Sequence, residues 1–400
     1  MEKILKNKQV AIAVFGALFV VTAGISWAVF RGGAGGALTG GDLASKRSRV
    51  EELPKTEACP TNGAMFTVPE REIWETRRPL TFMIENSLDS RPQEGLHKAD
   101  VVYELVAEGG VSRFLGVFYC GVASENTRLA PIRSARIFFI KLAEEYGDKP
   151  IYGHVGGANR LCGDCEDGLK PEFESSAKTD TISKLFDLGW RVKDGNDFDT
   201  TWDSGSPVFN RDTSRPGADK DLAHTMTAYT DAIYEEAANR GLNYTEDGVP
   251  WVENFRGWSF VDDQSVSSPD ATEISFEFWR NKPEYEVTWE YDKANNNYKR
   301  INGGEPFVDW KSNTQITAKN VVVQFVEEEG PVDTELHMYY EVVGTGDALV
   351  FQNGTVIEAT WEKKTDDSRT IYYDESGKEI SFVRGSIWIE GVPEGNDVVY

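Results

Sequence analysis

Short apolar runs alternate with polar positions along most of the chain, and their spacing indicates two kinds of folded region. Between about Trp74 and Leu242, strand-like runs such as TFMIEN, DVVYELVAE, FLGVFYC and PIYGHVG are interspersed with helix-like runs such as ARIFFIKLAEEYG, TISKLFDLGW and TDAIYEEAANRG. Alternation with a period of two is typical of strands, and recurrence every three or four residues is typical of helices. We therefore predict an α+β (or α/β) N-terminal domain over residues 73–245.

The C-terminal third has a different pattern. After a polar bridge over residues 246–272, runs such as EISFEFW, YEVTWEYD, ALVFQNG and SIWIEGV are separated by turn dipeptides, among them Asn302-Gly303 and Asn353-Gly354. Such spacing is typical of antiparallel sheets joined by tight turns. We predict a mostly antiparallel, β-rich C-terminal domain over residues 273–400, whose many Trp and Tyr side chains either fill its core or offer a surface on which sugars stack.

The first seventy residues predict a membrane attachment followed by a spacer. The uncharged run from Gln9 to Phe30 is long enough for a helix to cross a hydrocarbon core of about 30 Å, so we assign residues 1–30 to a cytoplasmic tip and one transmembrane signal anchor. Three lysines precede the run: Lys3, Lys6 and Lys8. They place the bulk of the chain outside the cell membrane. The alternative to an uncleaved anchor is a signal peptide cleaved after Ala28. Residues 31–72 are rich in Gly, Ser, Lys and Glu and are expected to form a flexible linker.

Charge and motif content exclude several functions. The formal net charge of -24 argues against nucleic acid as a partner, because such binding needs a basic surface. The sequence contains no G-x-S-x-G, H-E-x-x-H, Walker or dinucleotide-binding motif and only four histidines. We therefore expect neither a cofactor nor a multi-histidine metal centre.

Four cysteines allow three disulfide pairings: Cys59, Cys120, Cys162 and Cys165. The last two form a Cys-x-x-Cys pair, which could be a structural disulfide, a redox couple or half of a zinc site. The other candidate zinc ligands are Cys59, Cys120 and His154.

Polar side chains inside the apolar runs between Pro79 and Ala158 mark the candidate site. Seven of them lie within or at the ends of predicted strands: Asn86, Glu104, Glu108, Arg113, Arg133, Arg136 and His154. Charged residues are rarely buried unless they are paired or bind something, so these residues are expected to line a pocket. Ser134 opens a predicted helix beside two arginines, which would suit a phosphate or carboxylate, and His224 is a second candidate histidine.

Each of these residues also has a structural interpretation. The arginines could form salt bridges with Glu104 and Glu108 instead of binding a ligand. The two glutamates could perform acid–base chemistry, or they could only neutralise the arginines. His154 precedes a glycine turn that could let the backbone approach a ligand, or it could be a satisfied core histidine. The acidic run from Asp194 to Asp199 does not have the spacing of a calcium loop and is expected to be solvated.

Three long segments resemble the DUF3048 family of YerB-like bacterial lipoproteins. They are MIENSLDSRPQEGLHKADVVYELVAEGGVSRFLGVF, APIRSARIFFIKLAEEY and GHVGG, and the C-terminal half agrees through YKRINGGEPFVD, GTGDALVFQNG and SIWIEGVP. The resemblance covers about Leu80 to Pro393 and adds Arg91 to the candidate ligand-binding residues. The chain departs from the family in lacking a lipobox cysteine and in having Ala223-His224-Thr225 where the family has Pro-His-Asn.

The resemblance implies an extracytoplasmic pair of domains attached to the membrane, with no known activity. Our first hypothesis is a protein of the cell envelope that binds an anionic component, such as a wall polymer or a lipid-linked precursor, through the arginines and histidines. The first alternative is a phosphotransferase-like enzyme related to wall polymers, although Ser134 occupies the position where such an enzyme needs an acidic metal ligand. The second alternative is a protein-interaction module that uses the β-rich domain.

Overall fold

The structure is a computed structural model that describes residues 38–158, 177–246, 248–333 and 335–400. The predicted membrane anchor, residues 31–37 of the predicted linker, Cys162 and Cys165 lie outside these residues. Among the helices of the described ranges, none is both long and apolar enough to cross a membrane.

The N-terminal half contains the α-helices of the described chain and thirteen of its strands. The α-helices are α1 (Gly40–Arg47), α2 (Val68–Trp74), α3 (Ile137–Ala143), α4 (Thr181–Asp187) and α5 (Thr230–Asn239). The strands are β1 (Glu57–Ala58), β2 (Met65–Phe66), β3 (Leu80–Glu85), β4 (Val101–Glu108), β5 (Val111–Phe118), β6 (Arg128–Leu129), β7 (Ile151–His154), β8 (Asp197–Asp199), β9 (Phe209–Arg211), β10 (Met226–Tyr229), β11 (Thr245–Glu246), β12 (Val249–Pro250) and β13 (Phe260–Val261). The mixture of helices and strands that the periodicity predicts is confirmed.

The C-terminal half of the described chain consists of strands joined by turns. They are β14 (Glu273–Phe276), β15 (Val287–Asp292), β16 (Asn297–Asn302), β17 (Glu305–Pro306), β18 (Thr317–Ala318), β19 (Asn320–Glu329), β20 (Tyr339–Glu341), β21 (Gly344–Gln352), β22 (Thr355–Lys363), β23 (Ile371–Asp374), β24 (Phe382–Val383), β25 (Ile387–Pro393) and β26 (Val398–Val399). The predicted turn between β21 and β22 is present, with both Asn353 and Gly354 at positive φ. Most neighbouring strands here are antiparallel, but β19 and β25 are parallel.

One large sheet runs through both halves. Its order is β23-β22-β21-β19-β25-β4-β5-β3-β7-β8, with β20 paired to β19 outside this path. The two halves meet where β25 pairs in parallel with β4, so that Ile387 lies opposite Val101 and Glu390 opposite Glu104. Strands β3 and β25 are buried along their whole length, as expected of central strands covered on both faces. The two predicted domains therefore share a sheet and a core.

A second sheet of six strands belongs to the C-terminal half alone. Its order is β17-β16-β15-β14-β26, with β18 paired to β16. Trp289 of β15 and Trp388 of β25 pack edge to face between the two sheets, with ring centroids 5.3 Å apart. Both rings are buried, which agrees with the interpretation that these aromatic side chains fill the core.

The segment expected to be a flexible linker has defined structure from Leu38 onward. Helix α1 lies there, and Arg47 at its end donates two hydrogen bonds to Asp231 of α5. A disulfide joins Cys59 to Cys120, which ends the strand-like run FLGVFYC. The composition indicated a spacer, but an ion pair and a covalent bond fix residues 38–72 to the N-terminal half.

Candidate functional site

The carboxyl ends of β3, β7 and β8 lie side by side because these three strands are parallel. Glu85, His154 and Asp199 are the last residues of these strands. The segment that follows β6 crosses the same end of the sheet and brings Arg133 beside Glu85. Ligands of sheets with parallel strands bind outside the carboxyl ends of the strands, so this end is the candidate site.

Arg133 is the most exposed of the three predicted arginines. Its side chain is 28% exposed, against 2% for Arg113 and 6% for Arg136. Its Nε donates to Glu85 Oε1 at 3.1 Å, and its two Nη atoms make no hydrogen bond within the described part of the chain. Ser134 follows it with a hydroxyl that likewise has no hydrogen bond to a described residue. Arg133 and Ser134 therefore offer donors to a ligand.

Glu85 holds Arg133 and His224 together. Its Oε2 contacts His224 Nδ1 at 2.8 Å, and Ser87 donates to its Oε1 at 3.0 Å. Burial would raise the pKa of Glu85, but the hydrogen bond with His224 and the charge of Arg133 outweigh burial and lower it. That same hydrogen bond raises the pKa of His224. We refer to Glu85, Arg133, Ser134 and His224 as the Arg133 edge.

Arg113 and Arg136 are occupied by Glu108. Arg136 Nη2 donates to Glu108 Oε2 at 2.6 Å, and Arg113 Nη2 donates to the other oxygen of the same carboxylate. Burial alone would raise the pKa of Glu108, but the two arginines lower it to about 2. Arg113 also donates to the backbone oxygen of Ser134 at 3.0 Å. The salt-bridge interpretation of these two arginines agrees with the structure, with Glu108 as the carboxylate for both.

His154 is fully buried and its ring has two partners. Nε2 lies 2.6 Å from Asp197 Oδ1, and Nδ1 lies 2.7 Å from the backbone oxygen of Gly156. Burial opposes protonation, but the hydrogen bond with Asp197 outweighs it and raises the pKa of His154. Arg191 bridges Asp197 and Asp199 at 2.7 and 3.0 Å. His154 thus belongs to a closed network of charges and does not reach the surface of the Arg133 edge.

The glycines around His154 leave space for neighbouring side chains of the same protein, not for a ligand. A Cβ on Gly153 would overlap the ring of Phe82, and a Cβ on Gly157 would overlap Thr181. The close approach that the sequence suggested for a ligand is made by these side chains.

A second buried cluster contains Asn86 and Glu104 and connects the two halves. Arg300, from β16, donates to Glu104 Oε2 at 2.5 Å and to Glu390 Oε1 at 2.6 Å. Trp289 Nε1 also donates to Glu390 Oε1, at 3.0 Å. All three charged side chains are 0% exposed, so this triad is an internal connection and not a surface site.

Arg91 and Asn86 extend this cluster toward the C-terminal half. Arg91 Nε donates to Asn86 Oδ1 at 3.0 Å, and its Nη1 donates to the backbone oxygen of Glu284 at 2.7 Å. The guanidinium also lies 4.7 Å from the ring of Tyr285. Asn86 donates to Glu104 Oε1 at 3.2 Å. These predicted site residues hold the two halves together.

Several residues of the Arg133 edge and of the buried charge networks were not predicted from the sequence. Glu85 stands next to Asn86 in the run TFMIEN and carries the same signal, a charge at the end of a buried strand. The acidic run was expected to be solvated, but Asp197 and Asp199 are buried in β8 and pair with Arg191. In the alternating run NYKRI, Arg300 points into the core, which the period of two could have indicated.

One group of sulfur and carboxylate ligands comes together within the described ranges: Cys59, Cys120 and Asp100. The two sulfurs are joined in the disulfide, so they are not available to zinc. Asp100 accepts hydrogen bonds from the backbone amides of residues 119, 120 and 121, and burial raises its pKa to about 7. The cluster supports the fold near the end of β5.

Comparisons with known proteins identify the family of this chain. The model of the DUF3048 N-terminal domain, a protein of unknown function, matches residues 67–243, and that of the DUF3048 C-terminal domain matches residues 274–389. The chain belongs to the DUF3048 family. The resemblance seen in the sequence is thereby confirmed.

The chain is also similar to a protein of Bacillus subtilis. "Putative lipoprotein YerB" of strain 168 is 26% identical over 354 residues, which cover 87% of this chain and 90% of the relative. The crystal structure of the YerB protein from the same species aligns with a TM-score of 0.65 at 22% identity, over 86% of this chain and 100% of that one. At this level of identity the structural likeness shows a common fold.

Proposed function

We propose that this DUF3048 protein is attached to the cell membrane, faces the outside, and binds an anionic group of a cell-envelope component at the Arg133 edge. The observation that carries the proposal is the state of Arg133. Its side chain is 28% exposed, and only its Nε is engaged by a carboxylate. Arginine presents a planar fork of donors that fits phosphate and carboxylate, so the outward Nη atoms suit such a group.

The local charge balance supports an anionic ligand in spite of the acidic chain. Glu85 contributes one negative charge, while Arg133 and a protonated His224 contribute two positive charges. The edge is then net positive, whereas the whole chain has a formal net charge of -24. Because the hydrogen bond with Glu85 raises the pKa of His224, binding should weaken as the pH rises through that pKa.

Membrane attachment and orientation rest on the sequence and on the relative. The apolar run from Gln9 to Phe30 follows three lysines, which favours an outward C-terminal bulk. The Bacillus subtilis relative is named as a lipoprotein, a class of protein that is attached to a membrane through a lipid. A wall polymer or a lipid-linked wall precursor would carry the anionic groups that such a protein meets.

A thermal-shift comparison tests the binding site. The full chain in detergent is mixed with fragments of a phosphate-bearing wall polymer or with a polyprenyl phosphate, as wild type and as Arg133→Gln. A ligand at about 100 times its Kd stabilises by about 2.7 kcal/mol, which is a shift of several degrees. We expect this shift in the wild type and its loss in Arg133→Gln.

Arg384 offers a matched control. Its side chain is 30% exposed and its Nε donates to Asp262 at 2.8 Å, but it lies in the C-terminal half. Arg384→Gln should keep the full shift. If Arg133→Gln and Arg384→Gln are stabilised as much as the wild type, or if neither probe shifts the wild type, the assigned site is wrong.

A further inference from the structure

A cavity lies between helices α1 and α5. Its volume is about 350 Å³, whereas two cavities near Asn254 have about 240 and 220 Å³. Small-molecule sites are usually clefts of about 300 Å³ or more, so only the first has the size of a ligand pocket. Its lining is mixed, with the aliphatic residues Leu38, Leu43, Ala238 and Leu242 beside Arg77, Tyr234 and several polar residues such as Thr76 and Asn243. We call it the α1 cavity.

Arg77 brings an unsatisfied charge to this cavity. The side chain is 6% exposed, and its Nη1 is buried without a hydrogen-bond partner among the described residues. Its Nη2 lies 3.7 Å from Asp231 Oδ1, beyond hydrogen-bond distance, and the guanidinium stacks over Tyr234 at 4.2 Å. A buried donor without an acceptor costs about 1–3 kcal/mol. Nη2 also makes no hydrogen bond among the described residues and is the donor that an acceptor in the cavity would meet.

Asp231 does not satisfy Arg77 because another arginine already occupies it. Arg47 Nη1 and Nη2 donate to the two oxygens of Asp231 at 2.7 and 2.8 Å. The remaining acidic residue on the lining, Glu235, is exposed on the outer side of α5. The buried part of the cavity therefore presents one cation whose nearest carboxylate is already neutralised.

Helix α1 covers the cavity but buries none of its own residues. Polar contacts fix it in place, namely the pair between Arg47 and Asp231, the hydrogen bond from Arg47 Nε to the backbone oxygen of Ala123 at 3.0 Å, and the pair between Lys46 and Glu72. A short helix in water is marginal without an apolar face to bury. Leu43 is half-buried against the core cluster that contains Trp74, so an apolar ligand beside it would extend a burial that is only partial.

We propose that the α1 cavity binds an amphiphile with a phosphate head group, with the phosphate on Arg77 and the first part of its chain against Leu38, Leu43, Ala238 and Leu242. One guanidinium and four aliphatic side chains on the same lining fit a ligand with one anionic end and one apolar end. Leu38 is eight residues from the end of the apolar run at Phe30, so the cavity lies within about 29 Å of that end even if the chain is fully extended. An anionic membrane lipid would be the source at that distance.

Hydrogen exchange of the α1 amides provides the test. The full chain, in nanodiscs of phosphatidylcholine, is titrated with decyl phosphate, with decanol and with inorganic phosphate. We expect decyl phosphate to slow exchange over Gly40–Arg47 at least tenfold, and decanol and inorganic phosphate to have little effect. Equal slowing by decanol, or no slowing by decyl phosphate, would overturn the proposal.

Two substitutions on the same helix separate binding from folding. Ala238→Phe fills the cavity and leaves Arg77 in place, so it should abolish the effect of decyl phosphate. Ala232→Phe makes the same change at a half-buried position that does not line the cavity, and it should preserve the effect. Arg77→Gln should make decyl phosphate no better than decanol. If Ala238→Phe responds like Ala232→Phe, the ligand does not bind in this cavity.

Discussion

Glu390 is expected to keep its proton to a higher pH in the folded protein than an exposed glutamate does, and replacing it with glutamine tests this. Burial raises its pKa well above the usual 4.5, with Glu104 adding to the shift and Arg300 opposing it. Its Oε1 accepts from Arg300 and Trp289, while Oε2 is buried without a hydrogen bond, as suits the oxygen that carries the proton. With Glu390 neutral, Glu104 alone balances the charge of Arg300.

The magnitude follows from counting protons. In the unfolded chain Glu390 titrates near 4.5, so above that pH the unfolded state loses a proton that the folded state keeps. The stability contributed by this group is therefore complete below the unfolded pKa and declines by about 1.4 kcal/mol per pH unit until the folded pKa is reached. Glu390→Gln removes this dependence. The free energy of unfolding of the variant, minus that of the wild type, should therefore rise with pH above 4.5, by as much as about 1.4 kcal/mol per pH unit.

Urea unfolding at pH 5, 6 and 7, followed by tryptophan fluorescence, measures this difference. The double variant Glu104→Gln/Glu390→Gln leaves Arg300 with no carboxylate, and it should lose about 3–5 kcal/mol because a buried charge is then uncompensated. A difference that stays flat with pH would refute the protonated state of Glu390. Equal destabilisation of the single and the double variant would refute the role given to Glu104.

Two further predictions concern the disulfide and the Arg133 edge. Cys59→Ser/Cys120→Ser opens a loop with a sequence separation of 61 residues, so urea unfolding should show a loss of about 4 kcal/mol; a loss below about 1 kcal/mol would mean that the bond adds little to the packing around it. Glu85→Gln replaces the charged acceptor that raises the pKa of His224 with a neutral one, so an NMR titration should show that pKa falling toward 6.5. The pKa of His154, which Asp197 raises, should stay unchanged in the same titration, and a parallel fall of both would contradict the separate networks described here.

Local patterns predicted the elements well because strands and helices have their own periods. The run TFMIEN became β3, DVVYELVAE became β4, and TDAIYEEAANRG became α5. The β-rich character of the C-terminal half also follows from the change in period. The pairing of β25 with β4 could not be predicted, because it joins segments near opposite ends of the folded chain and no local signal specifies it.

The pairings among the candidate site residues could not be predicted from the sequence. The sequence places Glu104, Glu108 and three arginines in one block, yet it gives no distances among them. In the structure Glu108 pairs with Arg113 and Arg136, whereas Glu104 pairs with Arg300 from the other half. The acidic residues of β8 were missed because only the parallel pairing with β7, a tertiary feature, buries them.

The position of β25 has a consequence for how the chain is made. Ribosomes release the N-terminal half first, and until residues 387–393 have emerged the outer edge of β4 has no partner and exposes its backbone amides and carbonyls. A truncated chain that stops between the two family domains would keep that edge exposed permanently, and one that ends with the second family match at residue 389 would cut β25 in the middle. The closing strand is therefore synthesised long after β4, and the exposed edge of β4 needs protection from aggregation until that strand has formed.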